Sequence, residues 1–179
     1  MLTDEDIEIL KGKNVSIVHN PTSNMKLGSG FAPIDKFLKK GLNVTLGTDG
    51  TASNNNLDMF EEMHLASVIH NGYLRDATVM KAQDILKFAT LNGAVLQGRE
   101  NCGNLLPGFK ADIVAVSLDA PNMQPCLDVA ALLTYSAGRS DVSMTMCDGK
   151  IIYENGEYLT IDKEKVYSDI KKIVNRLYR

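Results

Sequence analysis

The 179-residue chain predicts an α/β fold, with parallel βα units over residues 1–102 and a smaller β unit behind them. Three observations carry that prediction. β-rich runs alternate with amphipathic stretches in the order helix, strand, loop, helix, strand, loop, helix, the rhythm of parallel βα units. A long polar loop follows each of the two early strands, where functional loops collect in barrels and doubly wound sheets alike. The last third instead carries Asp148-Gly149 and Asn155-Gly156, dipeptides that suit two-residue hairpin turns.

Each element has its local reason. Thr3 is placed to cap the first helix, Asp6 completes a capping box, and Leu2 with Ile7 takes the staple positions. Ile7 and Leu10 share a face, and Gly12 suits the stop. Residues 14–19 read as the first strand, ended by Asn20-Pro21. A polar loop is expected from Thr22 to Gly30, then a helix over 33–40 with Ile34, Phe37 and Leu38 inward and Gly41 closing it. The second strand, residues 43–48, runs into Asp49-Gly50 and a polar loop through Asn56. Helices follow over 57–69 and 81–90, with a further helical stretch at 92–97 after a break near Asn92-Gly93.

At Gly103 the texture changes. Leu105 to Gly108 reads as a turn, 111–116 as an apolar strand, 128–136 as a short helix, and 142–147 with 150–153 as a hairpin. Asp162 caps a last amphipathic helix with Val166, Ile170, Ile173, Val174 and Leu177 at helical spacing. The expected divisions are therefore 1–102, then 103–160 with an inserted helix, then a C-terminal helix over 161–179.

Composition narrows the function classes. With 44% hydrophobic and 23% charged residues and a net charge of −3, the chain can bury a core. The same balance argues against nucleic acid or an anionic membrane as the main partner. No apolar run approaches the roughly 18 residues of a membrane span. The first residues are acidic where a signal or transit peptide is basic, so a cytoplasmic location is expected. Cys102, Cys126 and Cys147 form no C-x-x-C pair, and small buried thiols are the expectation.

Two segments could carry chemistry. Asp49 follows the second strand and precedes a small polar loop through Ser53, a placement that suits catalysis or metal binding and equally an Asx-turn or helix cap. His19 ends the first strand, where it could act as a ligand or base or simply hydrogen-bond the following loop. His64 and His70 lie about 240° apart around one helix. They cannot share a metal there, so both read as surface or packing residues.

Taken together, His19-Asn20-Pro21-x-Ser23-Asn24-x-Lys26-Leu27, Gly47-Thr48-Asp49-Gly50 and Ser53-Asn54-Asn55 resemble the amidohydrolase superfamily. The similarity is greatest to its branch of methylthioadenosine and S-adenosylhomocysteine deaminases, triazine chlorohydrolases and guanine deaminases. Ala89-Thr90-Leu91-Asn92-Gly93-Ala94 and Gly103-Asn104-Leu105-x-Pro107-Gly108-x-x-Ala111-Asp112 agree with it. The resemblance implies a barrel of eight βα units with a side β-sandwich, of which this chain is a C-terminal piece holding the seventh and eighth strands. It implies a divalent metal, zinc first, whose activated water attacks a ring carbon of a purine or triazine. Asp49 would ligate that metal, take the proton from the water and pass it to the leaving ammonia. His19, Ser23, Asn24 and Ser53 would lie beside the substrate pocket.

The H-x-H pair, the two further histidines and the acidic glutamate of that family have no counterpart here. A closed barrel takes roughly 200 residues or more, and a catalytic zinc normally takes about three protein ligands. The expectation is a chain inactive and metal-free by itself that pairs its open strand edges with another copy or with a missing N-terminal half. The alternative is a catalytically dead remnant that serves as an oligomeric scaffold.

Overall fold

The computed structural model describes residues 2–178; Met1 and Arg179, the outer ends of the expected divisions, lie outside them. Two compact units emerge. One takes the chain up to Phe109 together with Leu118–Asp141, and the other takes Lys110–Ser117 and everything from Val142 onward.

The first unit opens with α1 (Asp4–Lys11), and the capping box is present: Asp6 N–H donates to Thr3 Oγ1, and Thr3 N–H donates to Asp6 Oδ2. Strands β1 (Ser16–His19) and β2 (Asn43–Leu46) pair in parallel, with Ser16 opposite Asn43 and His19 opposite Leu46. Between them lie α2 (Pro21–Lys26) and α3 (Ile34–Lys39). After β2 come α4 (Thr51–Asn54), α5 (Met59–Leu74), α6 (Ala82–Ala89), α7 (Leu91–Leu96) and, later in the chain, α8 (Val129–Tyr135).

The polar stretches expected as loops are thus partly helical. Pro21 starts α2 because its fixed φ and missing N–H suit a first helical position. The brief α4 ends where Asn55 takes the left-handed conformation, φ 68°. Helix α5 outruns its expected end at residue 69. Asp58 caps its start by accepting from Phe60 N–H, and Arg75 closes it at φ 55°.

The core gathers on β2. Val44 and Leu46 pack with Ile7 of α1, Ile34 and Phe37 of α3, Met63 and Ala66 of α5, and Ile85 and Phe88 of α6. Burying each such large side chain contributes about 1.5–3 kcal/mol. Polar groups in that layer are matched: Thr45 Oγ1 donates to the Phe88 carbonyl at 2.8 Å, and Asn92 Nδ2 donates to the Val44 carbonyl at 2.8 Å. Of the histidines on α5, His70 is buried and His64 is exposed, one packing and one surface residue.

The second unit is an antiparallel sheet of β3 (Ile113–Val116), β4 (Val142–Cys147), β5 (Lys150–Glu154) and β6 (Glu157–Tyr158), in that order, followed by α9 (Lys163–Leu177). Asp148 and Gly149, at φ 48° and 80°, make the two-residue turn between β4 and β5, which needs positive φ at both positions. Asp162 caps α9 by accepting from Lys165 N–H, yet no described side chain of α9 is buried. The expectation of buried thiols fails for two cysteines. Cys102 is buried, but Cys147 ends β4 beside the turn and Cys126 sits in an irregular segment, and both are exposed. No helix among the described residues is long and apolar enough to cross a membrane.

Candidate active site

The parallel pairing of β1 and β2 brings the segments that follow them side by side. Ser23, in the first turn of α2 and buried, donates from Oγ to Asp49 Oδ2 at 2.8 Å. Asp49 itself is exposed and holds φ 60°, a left-handed conformation that aspartate tolerates better than most residues. Its Oδ1 accepts from the Gly50 N–H at 2.7 Å. The Ser23 hydroxyl, then the Gly50 amide, then the Ser53 hydroxyl hold the Asp49 carboxyl below the usual aspartate range. Ser53 Oγ also donates to the Gly50 carbonyl at 3.0 Å, fixing the turn. Asp49, Ser23 and Ser53 therefore share one small region. Asp49 is an ionised oxygen base that solvent can reach.

Side chains from both segments lock them to each other. Lys26 Nζ donates to the Ala52 carbonyl at 3.2 Å and to Asn55 Oδ1, supporting the C-terminal end of α4 from α2. Glu62 of α5 accepts from Thr22 N–H at 3.2 Å and from Asn54 Nδ2 at 2.7 Å. At Gly47 a Cβ would lie 2.6 Å from Asn20 Oδ1 and 2.9 Å from Val18 Cγ1, so any larger residue must displace those two side chains.

His19 and Asn24 take different places. The His19 ring is 5% exposed, and its Nε2 lies 3.0 Å from Nε2 of His70. One imidazole donates and the other accepts, and burial, with a smaller effect from His70, lowers the His19 pKa to about 3. His19 Nδ1 is buried and has no hydrogen-bond partner among the described residues. Asn24 lines a cleft of about 330 Å³ with Ile17, Ser29, Phe31 and Phe37. Sequence reasoning missed the His70 contact, the Lys26 clamp and Glu62. Lys26 stood inside the recognised motif and could have been found there, whereas nothing local marks Glu62 apart from its neighbour Glu61.

The donor set decides how far a metal fits. Asp49 offers carboxylate oxygens, but no group of three or more His, Cys, Asp or Glu side chains able to hold a metal ion occurs among the described residues. A catalytic zinc usually takes three protein ligands. Asp49 suits one ligand of a site completed from elsewhere, and the described residues do not make a whole one.

Comparison with known proteins meets this geometry. The Amidohydrolase family matches residues 1–152. A 5-methylthioadenosine/S-adenosylhomocysteine deaminase of Acetivibrio thermocellus is 49% identical over 179 residues, covering 99% of this chain and 42% of its own length. A crystal structure of an adenosine deaminase from Xanthomonas campestris with bound zinc superposes with a TM-score of 0.95 at 36% identity, over 99% of this chain and 41% of that one. An atrazine chlorohydrolase from Arthrobacter aurescens complexed with zinc reaches a TM-score of 0.88 at 27% identity, over 97% of this chain and 39% of that one. The chain thus spans about two fifths of the length of the relatives it matches. With the match running through both strand-end segments and on to residue 152, the chain belongs to the amidohydrolase family.

Proposed function

We propose that this chain is the C-terminal part of a metal-dependent hydrolase that deaminates the purine ring of an adenosine-type nucleoside, with Asp49 as its catalytic carboxylate. The observation that carries the reading is the Ser23–Asp49 contact at the ends of a parallel strand pair, which leaves an ionised and accessible carboxylate. Relatives named as deaminases of adenosine-type nucleosides support the substrate class. On this reading β1 and β2 are the seventh and eighth strands of a βα barrel. The antiparallel unit is then a share of the side sandwich.

Deamination by water replaces the ring amino group with oxygen and releases ammonia. Asp49 accepts a proton from the attacking water and returns it to the departing nitrogen, so a single carboxylate serves as base and then as acid. Ser23 keeps the carboxylate low in pKa and fixed in direction, and Ser53 steadies the turn that presents it. Asp49 would also serve as one ligand of a divalent cation, whose contribution is to bring the water's pKa toward neutrality. The remaining ligands lie outside this chain, which by itself does not turn over.

The test is a chimera in which this chain replaces the matched segment of the Acetivibrio thermocellus deaminase. Ammonia release from 5-methylthioadenosine by the zinc-loaded chimera is the expected result. A folded chimera that binds zinc and releases no ammonia would favour the scaffold reading, and chloride release from a chlorotriazine would move the substrate class instead.

A further inference from the structure

The mechanism gives no role to the most deeply buried acidic side chain among the described residues. Glu62, on α5, is 1% exposed, and amide donors from two separate segments take both of its carboxylate oxygens. On one side Oε2 accepts from the Thr22 N–H, and the next residue, Ser23, holds Asp49. On the other side Oε1 accepts from Asn54 Nδ2, which also donates to the carbonyl of Thr48, the residue before Asp49. The contacts close a circuit: Glu62, Thr22, Ser23, Asp49, Thr48, Asn54 and back to Glu62.

We propose that Glu62 is a positioning residue for Asp49, setting the distance between the segments after β1 and β2 so that Ser23 meets the Asp49 carboxylate. Burying a carboxylate is costly unless hydrogen bonds satisfy it. A buried apolar residue at this place on α5 would pack with less cost but would hold neither segment. What the carboxyl group adds is two acceptors on one rigid fork, facing one donor from each segment. A glutamine of the same size presents an amide NH₂ to one of those two donors, which opens the circuit without leaving a cavity. The role rests on the catalytic reading of Asp49, and its structural half can be measured apart from that reading.

The experiment compares Glu62→Gln, Ser23→Ala and their double variant, each made in the 179-residue chain and in the chimera. In the chain, amide NMR reads the Gly50 N–H, which donates to Asp49 Oδ1. Glu62→Gln is expected to displace the Gly50 signal in the same direction as Ser23→Ala, with the Val44 signal in the buried strand unmoved. In the chimera, Glu62→Gln lowers kcat by about 10- to 100-fold with KM within about threefold, the signature of a misplaced reacting group. Because both substitutions break one circuit, the double variant loses no more than about twofold beyond the worse single one.

A Gly50 signal that stays in place in folded Glu62→Gln overturns the proposal, as do losses in kcat that multiply. An inactive parent chimera removes the catalytic reading, while the Gly50 signal still decides whether Glu62 sets the turn. Should Glu62→Gln not fold, Asn54→Ala opens the same circuit from the other side and is judged by the same Gly50 displacement.

Discussion

His19 closes β1 and Asp49 lies just beyond β2, so neighbouring parallel strands deliver both to the same end of the pair. Their chemistry diverges. The His19 ring is buried against His70, and its pKa falls to about 3, so it stays neutral at physiological pH. Asp49 stands in solvent, and the hydroxyl of Ser23 together with the Gly50 amide holds it ionised. Strand ends mark where reactive groups can stand, and the neighbours decide which of them can exchange a proton. Here the histidine is spent on packing while the carboxylate remains available.

The contrast can be broken most severely between the two ends. Gly47→Ala places a methyl group against Asn20 Oδ1 and Val18 Cγ1, and overpacking of that kind costs about 1–3 kcal/mol. Urea unfolding should show a lower midpoint with unchanged slope. A midpoint equal to that of the parent would mean that the segments after β1 and β2 separate freely.

Acid should sharpen the contrast next. A histidine neutral in the fold and titrating near 6.5 when unfolded contributes stability that is present above pH 6.5 and lost as pH falls toward 3. His19 alone accounts for about 2 kcal/mol lost between pH 7 and pH 5. His70 adds loss in the same direction, since burial lowers its pKa against a smaller opposing effect from Asp35. Equilibrium unfolding at the two pH values should show a flatter dependence in His19→Gln, and an equal slope in both proteins would contradict the assignment.

Ser23→Ala has the smallest expected effect on stability. It removes the largest single cause of the lowered Asp49 pKa, so the carboxyl should titrate closer to the ordinary aspartate range. Carbon-13 NMR of the Asp49 carboxyl reads this directly, and an unmoved titration would show that the Gly50 amide and the Ser53 hydroxyl hold the charge without Ser23.

Much of the fold was legible because its signals are local. The capping box at Thr3 and Asp6, the paired positive-φ residues at Asp148-Gly149 and the apolar spacing of Ile34 and Phe37 each lie within a few neighbouring residues. Helices α2 and α4 are not legible because their residues, PTSNMK and TASN, are mostly small and polar and show no apolar stripe at helical spacing. Asp49 was legible from its place after a strand and from the motif around it. Glu62 was not, since the group it holds lies 40 residues away at Thr22 and its own helix presents it beside another glutamate. The His19–His70 contact spans 51 residues and was hidden for the same reason. Long-range side-chain contacts leave no trace in spacing.

If Asp49 is the proton-transferring carboxylate of a deaminase, as proposed, Asp49→Asn must cripple the zinc-loaded chimera. Asparagine keeps the shape and can still accept from Ser23, but it cannot take the proton. The rate of ammonia release is expected to fall by about 10²- to 10⁴-fold in a chimera that remains folded. A folded Asp49→Asn chimera that deaminates at the parent rate would contradict it.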